Sequence, residues 1–135
     1  FGQKDAQQVA VIKKMISDLN MNLKIITLPT VRESDGLAIS SRNSYLNHKE
    51  RQAATILYRA LTLTQKLWSE GERDARRLRQ EMTSLLKKEP LAKIDYVSIA
   101  DRETLSELAQ IISPALASLA VKIGSTRLID NIVLR

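Results

Sequence analysis

The stretch LASLAVKIGSTRLIDNIVL, residues 116–134, carries the pattern that decides the fold of this chain. Two aliphatic runs flank the pair Gly124-Ser125, and a two-residue loop that begins with glycine is typical of a β-hairpin. A similar apolar run lies between Pro90 and this hairpin, so three strands are expected after Pro90, at residues 94–100, 116–123 and 126–134. Between the first two strands, residues 101–112 are ambiguous and allow a short helix.

Upstream of these strands, apolar residues take the spacing of helices. Asn47 followed by Glu50 resembles a capping box and opens one predicted helix, which ends near Gly71. Asp74 caps a second predicted helix, which ends before Pro90. The apolar stripes of the two helices comprise Ala54, Leu57, Leu61, Trp68, Leu78, Met82 and Leu85. Two helices and three strands predict a small α+β domain, with the helices on an antiparallel sheet.

The first 30 residues have a different organisation. One helix face over residues 5–20 carries Val9, Ile12, Ile16 and Leu19. Residues 23–28 indicate a short buried strand, closed by Pro29. A helix followed by a strand is half of a parallel α/β unit, which needs neighbouring strands to pack on. Because the chain also begins without a methionine, we expect it to be part of a longer polypeptide.

Composition limits the classes of function. The 135 residues contain no cysteine, which excludes a disulfide framework and thiolate metal sites. No apolar run approaches the ~18 residues of a membrane span, and no signal-peptide pattern is present, so a cytoplasmic protein without a membrane partner is expected. The net charge of +6 favours anionic partners, among which are nucleotides, phosphorylated metabolites and nucleic acids.

The residues Gly2, Gln3, Lys4 and Asp5, which we call the GQKD turn, form a candidate anion site at the start of the first helix. A glycine lets a ligand approach the backbone, the helix N-terminus offers free N–H groups, and lysine adds a positive charge. Taken alone, these residues are better explained by helix capping and a solvated lysine.

A second candidate is GLAISSRN, residues 36–43, within which we call Ile39, Ser40, Ser41 and Arg42 the ISSR segment. Two hydroxyls, backbone amides and a guanidinium are suited to phosphate oxygens. Gly36 is a candidate hinge for a mobile loop. Taken alone, the segment is better explained as a serine-rich linker.

Three further features favour structural interpretations. The basic run of the second predicted helix, which would mark a nucleic-acid site, comprises Arg73, Arg76, Arg77 and Arg79. Acidic residues interleave with these arginines and no aromatic accompanies them, which favours an ion-paired helix face. His48, the one histidine, has no partner that would make a metal site or a triad, and Trp68 has the spacing of a core residue.

Taken together, FGQKDAQQ, PTVRESDGLAISSRN and GSTRLIDNIVL resemble the C-terminal half of the pantoate–β-alanine ligase family, in the same order and spacing. The resemblance implies membership of the nucleotidylyltransferase superfamily. Residues 1–30 would then end a Rossmann-like domain that binds ATP and pantoate. Residues 31–135 would form the smaller domain that closes over the active site.

The resemblance also implies a reaction: ATP with Mg²⁺ adenylates pantoate, and the amine of β-alanine then displaces AMP to give pantothenate. The family's ATP contacts correspond to the GQKD turn, Val31 and the ISSR segment. Lys4, Ser40, Ser41 and Arg42 would act on the phosphates, and Gln8 would contact pantoate. No protein metal ligand is expected, and the parent protein would be a homodimer that binds no nucleic acid.

Two departures from the family pattern matter. Ile39 stands where methionine is usual, a conservative apolar change. The family's HxGH-type histidines, whose role is electrostatic, have no counterpart here, and His48 matches no such motif. We therefore expect this chain alone to be inactive. The open alternatives are an RNA-binding module that uses Arg73 to Arg79 and a non-catalytic interaction domain; a cytidylate kinase fused downstream is left open.

Overall fold

The computed structural model describes residues 2–19 and 28–135 of the chain. Within these residues the elements are helices α1 (Ala6–Asp18), α2 (His48–Ala53), α3 (Ile56–Ser69) and α4 (Ala75–Leu86), and strands β1 (Ala92–Asp101), β2 (Ala115–Ile123) and β3 (Thr126–Leu134). Short 3-10 helices occupy Gln3–Asp5 and Ser41–Tyr45. The strand expected at residues 23–28 lies outside the described residues, except for Leu28. No helix in the described ranges is both long and apolar enough to cross a membrane.

The three strands form one antiparallel sheet in the order β1-β2-β3. Ile123 pairs with Thr126, so the β2–β3 loop has two residues, and its Gly124 has the positive φ of +60° that this kind of turn needs in its first position. The predicted strands agree with β1, β2 and β3 to within two residues at each end. The prediction of helices on an antiparallel sheet is confirmed.

The hydrophobic core lies between this sheet and helices α3 and α4. Alternate residues of the central strand point toward the helices, and Ala117, Leu119 and Val121 are completely buried. Leu61 of α3 and Met82 of α4 are buried against this face. Burying a side chain of leucine size contributes about 2 kcal/mol, so the aliphatic core stabilises the domain despite its few aromatic residues.

The predicted helix from Asn47 to Gly71 is in fact two helices. Its start is confirmed, because Asn47 and Glu50 form both hydrogen bonds of a capping box. The break falls after α2, where the Thr55 hydroxyl donates to the Gln52 carbonyl at 2.8 Å and the Thr55 amide bonds the same carbonyl. A threonine hydroxyl that takes a backbone carbonyl competes with the helical pattern, and the sequence stripe does not reveal this.

The second predicted helix begins where expected, but the last residue of its buried face is Leu86 rather than Leu85. Asp74 accepts hydrogen bonds from the amides of Arg76 and Arg77, as an N-cap should. Leu78 and Met82 are completely buried, as expected, and the stripe continues at Leu86. Leu85, which the sequence placed in the stripe, is only partly buried.

The ambiguous segment at residues 101–112 does not form the short helix that the sequence allowed: it is a loop, held by hydrogen bonds within the segment and to neighbouring segments. The Asp101 carboxylate accepts from the amides of Glu103 and Thr104, which closes a turn, and Leu105 has a φ of +61°. The Ile111 amide then donates to the Arg73 carbonyl at 2.9 Å. Backbone groups bonded to other segments are not available for a helix.

Helix α1 forms as predicted, but its apolar stripe is unevenly covered. Val9 is 5% exposed, Ile12 and Ile16 are half-buried, and Leu19 is 64% exposed. Two cavities lie between this helix and the rest of the described chain, and Leu116 of β2 lines both of them. A stripe of this kind predicts a helix correctly without saying which layer covers it.

Candidate functional site

Residues 31–39 form a small hairpin-like turn rather than an open loop. The Ile39 amide donates to the Val31 carbonyl at 2.9 Å, and Arg32 and Ala38 form a bridge pair between these residues. Leu37 and Ala38 are buried, so this turn is anchored in the core. Val31 and Ile39 are neighbours across this turn and are 68% and 50% exposed, which leaves two apolar side chains next to each other in solvent.

Gly36 is held in a tight contact. Its φ is +94°, and a Cβ atom built on it would lie 2.1 Å from the ring of Tyr58. The backbone of the turn is therefore packed against an aromatic side chain of α3. This close approach is a second reason for the glycine, beside the hinge that the sequence suggested, and it argues against a loose linker.

The ISSR segment leads from this turn into the second 3-10 helix. The Ser40 hydroxyl caps that helix by accepting from the Arg42 amide at 3.2 Å. The Arg42 guanidinium donates to the Arg127 carbonyl of β3 at 3.2 Å. Asn43 donates to the Ala38 carbonyl at 3.1 Å, which ties the segment back to the turn.

The GQKD turn lies against the ISSR segment. The backbone amide of Gln3 donates to the Leu28 carbonyl at 2.7 Å, and the backbone amide of Asp5 donates to the Gly2 carbonyl at 3.1 Å, which closes the turn. The Lys4 Nζ atom is 3.5 Å from the carbonyl oxygen of Ile39. Two segments that sequence reasoning treated as separate anion sites therefore meet at Lys4, although they are 35 positions apart.

Gln8 is exposed on the first turns of α1, and it lines a cavity of about 190 Å³ between α1 and the sheet. The same cavity is lined by Lys4, Asp5, Tyr96, Ser118, Asp130 and Asn131, among others. Polar groups thus surround a space that begins at the GQKD turn. A larger cavity, of about 480 Å³, lies between α1 and Arg102 and includes only Gln3 of the predicted site residues.

The environment of Lys4 alters its protonation. Partial burial lowers the pKa of Lys4 below 10.5, because the charged amine loses solvation. The carboxylates of Asp130 and Asp5 oppose this effect, whereas the positive charges of Arg42 and Arg32 add to it. An anionic ligand at Lys4 would offset the electrostatic repulsion between these neighbouring cations.

An ion pair that sequence reasoning missed lies directly behind the site. Arg32 donates to the Asp130 carboxylate of β3 through Nη1 and Nη2, at 2.5 and 3.0 Å. Its Nη1 also donates to the Gly36 carbonyl at 3.1 Å. The guanidinium stacks on Tyr58, 4.3 Å from the ring centroid. The Asp130 side chain is 2% exposed and that of Arg32 is 18% exposed. The one signal in the sequence was a carboxylate within the apolar strand of the RLIDNI motif.

Asn131, the next residue of β3, was also missed. Its Nδ2 atom donates to the carbonyl oxygens of Gln3 and Lys4, each at 3.0 Å, and its Oδ1 atom accepts from Gln3 Nε2 at 3.3 Å. The side chain is 4% exposed. The three-stranded sheet therefore contacts the backbone of the GQKD turn through one carboxamide.

The basic run from Arg73 to Arg79, at and before the start of α4, forms ion pairs within the chain, as the favoured interpretation expected. Arg77 pairs with Glu72 at 2.9 Å, and Arg79 pairs with Glu107 at 3.0 Å. Arg73 stacks on Trp68, which is itself only partly buried beside the core. Three of the four arginines are thus committed to contacts within the chain.

His48 lies exposed at the start of α2, where the Gln52 carboxamide is within 3.3 Å of its ring. Within the described ranges, no three histidine, cysteine or acidic side chains cluster in a way that could hold a metal ion.

Comparison with known proteins identifies the family of this chain. A family model described as pantoate-beta-alanine ligase matches residues 1–133. The chain belongs to this family. The pantothenate synthetase of Pelotomaculum thermopropionicum is 58% identical over 134 residues, which cover 99% of this chain and 48% of that protein. The corresponding protein of Roseiflexus castenholzii is 59% identical over 134 residues, with the same coverage.

Solved structures of family members share the fold. A crystal structure of pantothenate synthetase from Thermus thermophilus has a TM-score of 0.91 at 37% identity, over 98% of this chain and 48% of that one. A ligase from Francisella tularensis, complexed with beta-gamma ATP and beta-alanine, has a TM-score of 0.61 at 31% identity, over 98% and 41%. The chain therefore spans about half the length of these relatives.

Proposed function

We propose that the protein to which this chain belongs makes pantothenate from pantoate and β-alanine at the expense of ATP. In the first step, a pantoate carboxylate oxygen attacks the α-phosphorus of ATP and pyrophosphate leaves. In the second step, the β-alanine amine attacks the acyl carbon, and AMP leaves as the amide bond forms. The family match and the Francisella tularensis ligase bound to an ATP analogue and β-alanine support this proposal.

The single observation that carries the proposal is the meeting of the GQKD turn and the ISSR segment at Lys4. Positive groups next to phosphates stabilise the charge that develops as pyrophosphate leaves. We assign this role to Lys4 and Arg42, with the hydroxyls of Ser40 and Ser41 as further donors to phosphate oxygens. Gly2, Gln3 and Asp5 complete the ATP-binding turn.

The exposed apolar pair of Val31 and Ile39 supports an adenine site next to these cations. Both side chains project from the same face of the 31–39 turn, and the Ile39 carbonyl is the group that Lys4 contacts. A purine ring covers apolar surface well and gains from its removal from water. Gln8, on the wall of the smaller cavity, is assigned to pantoate.

Magnesium fits this site only as a companion of the nucleotide. The described residues offer no group of three acidic or histidine ligands, and Asp130 is committed to Arg32. Mg²⁺ commonly binds through substrate phosphates and a few carboxylates, so it would arrive with ATP as part of the substrate.

The proposal includes an arrangement of domains. Residues 1–30 would complete a Rossmann-like domain, and residues 31–135 would form the lid over its active site. The complete protein would be a cytoplasmic homodimer with small-molecule substrates and no nucleic-acid partner, as its family suggests. This chain alone would not turn over substrate, because the HxGH-type histidines would come from the other domain.

A chimera tests the proposal directly. The N-terminal half of the Pelotomaculum thermopropionicum protein, fused to this chain, should form pantothenate, whereas the isolated chain should not. Pantoate-dependent exchange of pyrophosphate into ATP measures adenylation alone. Arg42→Ala should slow that exchange by about 100-fold or more, the usual effect of removing a group that stabilises transition-state charge.

Arg76 provides a matched control, because it is an exposed arginine on α4. Arg76→Ala should leave the exchange rate unchanged. A wild-type chimera that folds and makes no pantothenate would refute the proposed function. An active chimera whose adenylation is indifferent to Arg42→Ala would refute the site assignment and leave the function standing.

A further inference from the structure

Both ends of the Asn131 carboxamide bond the GQKD turn. Its two N–H groups serve two carbonyl oxygens, and its oxygen accepts from the Gln3 side chain. Of the two ends of a carboxamide, only the –NH₂ group can donate to two carbonyls, so the orientation of the carboxamide is fixed by its partners. The contact joins residues that are 128 and 127 positions apart.

Asn131 is held in turn by the buried ion pair. The backbone amide of Asn131 donates to Asp130 Oδ1 at 2.8 Å, and its backbone carbonyl accepts from Arg32 Nη2 at 3.4 Å. Arg32 is itself fixed by Tyr58 and by the Gly36 carbonyl. A chain of contacts therefore runs from the 31–39 turn through β3 to the backbone of the GQKD turn.

This chain of contacts ends at the residue that carries the charge. Because Asn131 binds the carbonyl of Lys4, it fixes the backbone from which the Lys4 side chain extends toward Ile39. A cation that stabilises a transition state must be held close to its productive position, and neighbouring side chains often provide that restraint. Asn131 does not need to touch the ligand to do this.

We infer that Asn131 is a positioning residue for adenylation: it holds the GQKD turn so that Lys4 points at the phosphates of ATP. The Arg32–Asp130 pair is the support that holds Asn131 in place. This inference rests on the proposed function for its kinetic consequence. The physical clamp is tested separately, on this chain without substrate.

The clamp is tested by amide hydrogen exchange in the isolated chain. In Asn131→Ser, which keeps a small polar side chain and loses the reach to both carbonyls, the Asp5 amide should exchange about tenfold faster or more. Amides in the β2–β3 hairpin should stay within about twofold of wild type. Unchanged exchange at Asp5 would overturn the clamp, whatever the protein catalyses.

The kinetic consequence is tested in the chimera with Asn131→Asp. This change keeps the shape of the side chain but places a carboxylate oxygen against carbonyls that need donors. Adenylation should slow by about 100-fold, the scale expected when a catalytic group is displaced by about 1 Å. The second step, measured with pantoyl adenylate and β-alanine supplied, should change by less than about threefold, because the pyrophosphate whose developing charge Lys4 stabilises has already left. Equal losses in both steps would mean a merely structural role and would overturn the inference.

The matched control is Asn47→Asp, the same chemical change at a helix N-cap. Asn47 uses its side-chain oxygen as an acceptor for the Glu50 amide, which aspartate serves equally well. This variant should retain both steps. If Asn131→Asp does not fold, Asn131→Ser replaces it in the kinetic assay with the same expected split.

A double-mutant cycle identifies the residue through which Asn131 acts. In a Lys4→Ala background, Asn131→Ser should slow adenylation by no more than about threefold further, because the side chain it positions is gone. Independent, multiplicative losses would overturn the assignment to Lys4. An inactive wild-type chimera with fast exchange at Asp5 in Asn131→Ser would refute the proposed function and the kinetic role but keep the clamp.

Discussion

Removing Arg32 should destabilise the folded chain far more than removing an arginine from an exposed ion pair. In Arg32→Met, the side chain keeps an apolar stem to pack on Tyr58, but Asp130 loses its counter-ion. The Asp130 side chain is 2% exposed, and the Asn131 amide is its one remaining hydrogen-bond donor among the residues described. Breaking a buried ion pair by removing one partner costs about 3–5 kcal/mol, and we expect about 4 kcal/mol here because Asp130 is so deeply buried.

The converse change should cost less. Asp130→Asn leaves Arg32 without an anion, but its side chain is 18% exposed and keeps its bond to the Gly36 carbonyl. We expect a loss of about 3 kcal/mol, at the lower end of the same range. The double variant should lose clearly less than the sum of the two, because each single change leaves one unpaired charge and the double variant leaves none.

Arg51 provides the matched control, since it also forms two hydrogen bonds to one carboxylate, that of Asp35, at 2.8 and 3.1 Å. These side chains are 30% and 44% exposed, so Arg51→Met should cost less than about 1 kcal/mol. Urea unfolding followed by circular dichroism measures each free energy of unfolding, and the slope with urea should not change. The reasoning is refuted if Arg32→Met costs no more than Arg51→Met.

Two more predictions concern Gly36 and Lys4. Gly36→Ala should lower the free energy of unfolding by more than about 2 kcal/mol, because a Cβ would meet Tyr58 at 2.1 Å, whereas Gly71→Ala, with a φ of +104° and open space, should cost about 1 kcal/mol. Equal losses in urea unfolding would contradict the contact. ATP affinity of the chimera, measured by calorimetry, should fall as pH rises through the lowered pKa of Lys4, below 10.5, because the neutral amine no longer attracts phosphate. Lys4 should also make the free energy of unfolding rise with pH between its lowered pKa and 10.5, since the unfolded chain binds more protons there than the folded chain. Lys4→Arg should remove the fall in affinity; a fall that persists in this variant would exclude Lys4 as its source.

The elements of the fold were predictable where one local pattern determined them. The β2–β3 hairpin follows from Gly124-Ser125 between two aliphatic runs, and β3 begins and ends at the residues expected. The capping box at Asn47 and the N-cap at Asp74 were also correct, because a cap involves only residues within one helical turn. The break at Thr55 was missed, since a hydroxyl that bonds a carbonyl leaves the apolar stripe intact.

The candidate site was predictable only in part. Local chemistry made the GQKD turn and the ISSR segment candidates, the family resemblance assigned them to ATP, and the structure brings them together at Lys4. The roles given to the individual residues remain predictions. Arg32, Asp130 and Asn131 were missed because their partners lie about a hundred positions away, and no pattern of spacing reports contacts of that kind.

The separation between Asn131 and Gln3 also bears on how the site is made in the cell. The GQKD turn is synthesised 128 positions before the carboxamide that clamps it. Closing so large a loop is costly in entropy and comes late in folding. While the ribosome extends the chain, the turn must wait without its clamp until β3 has emerged and paired with β2. The geometry of the turn is therefore completed only when β3 has been made, long after its own residues have left the ribosome.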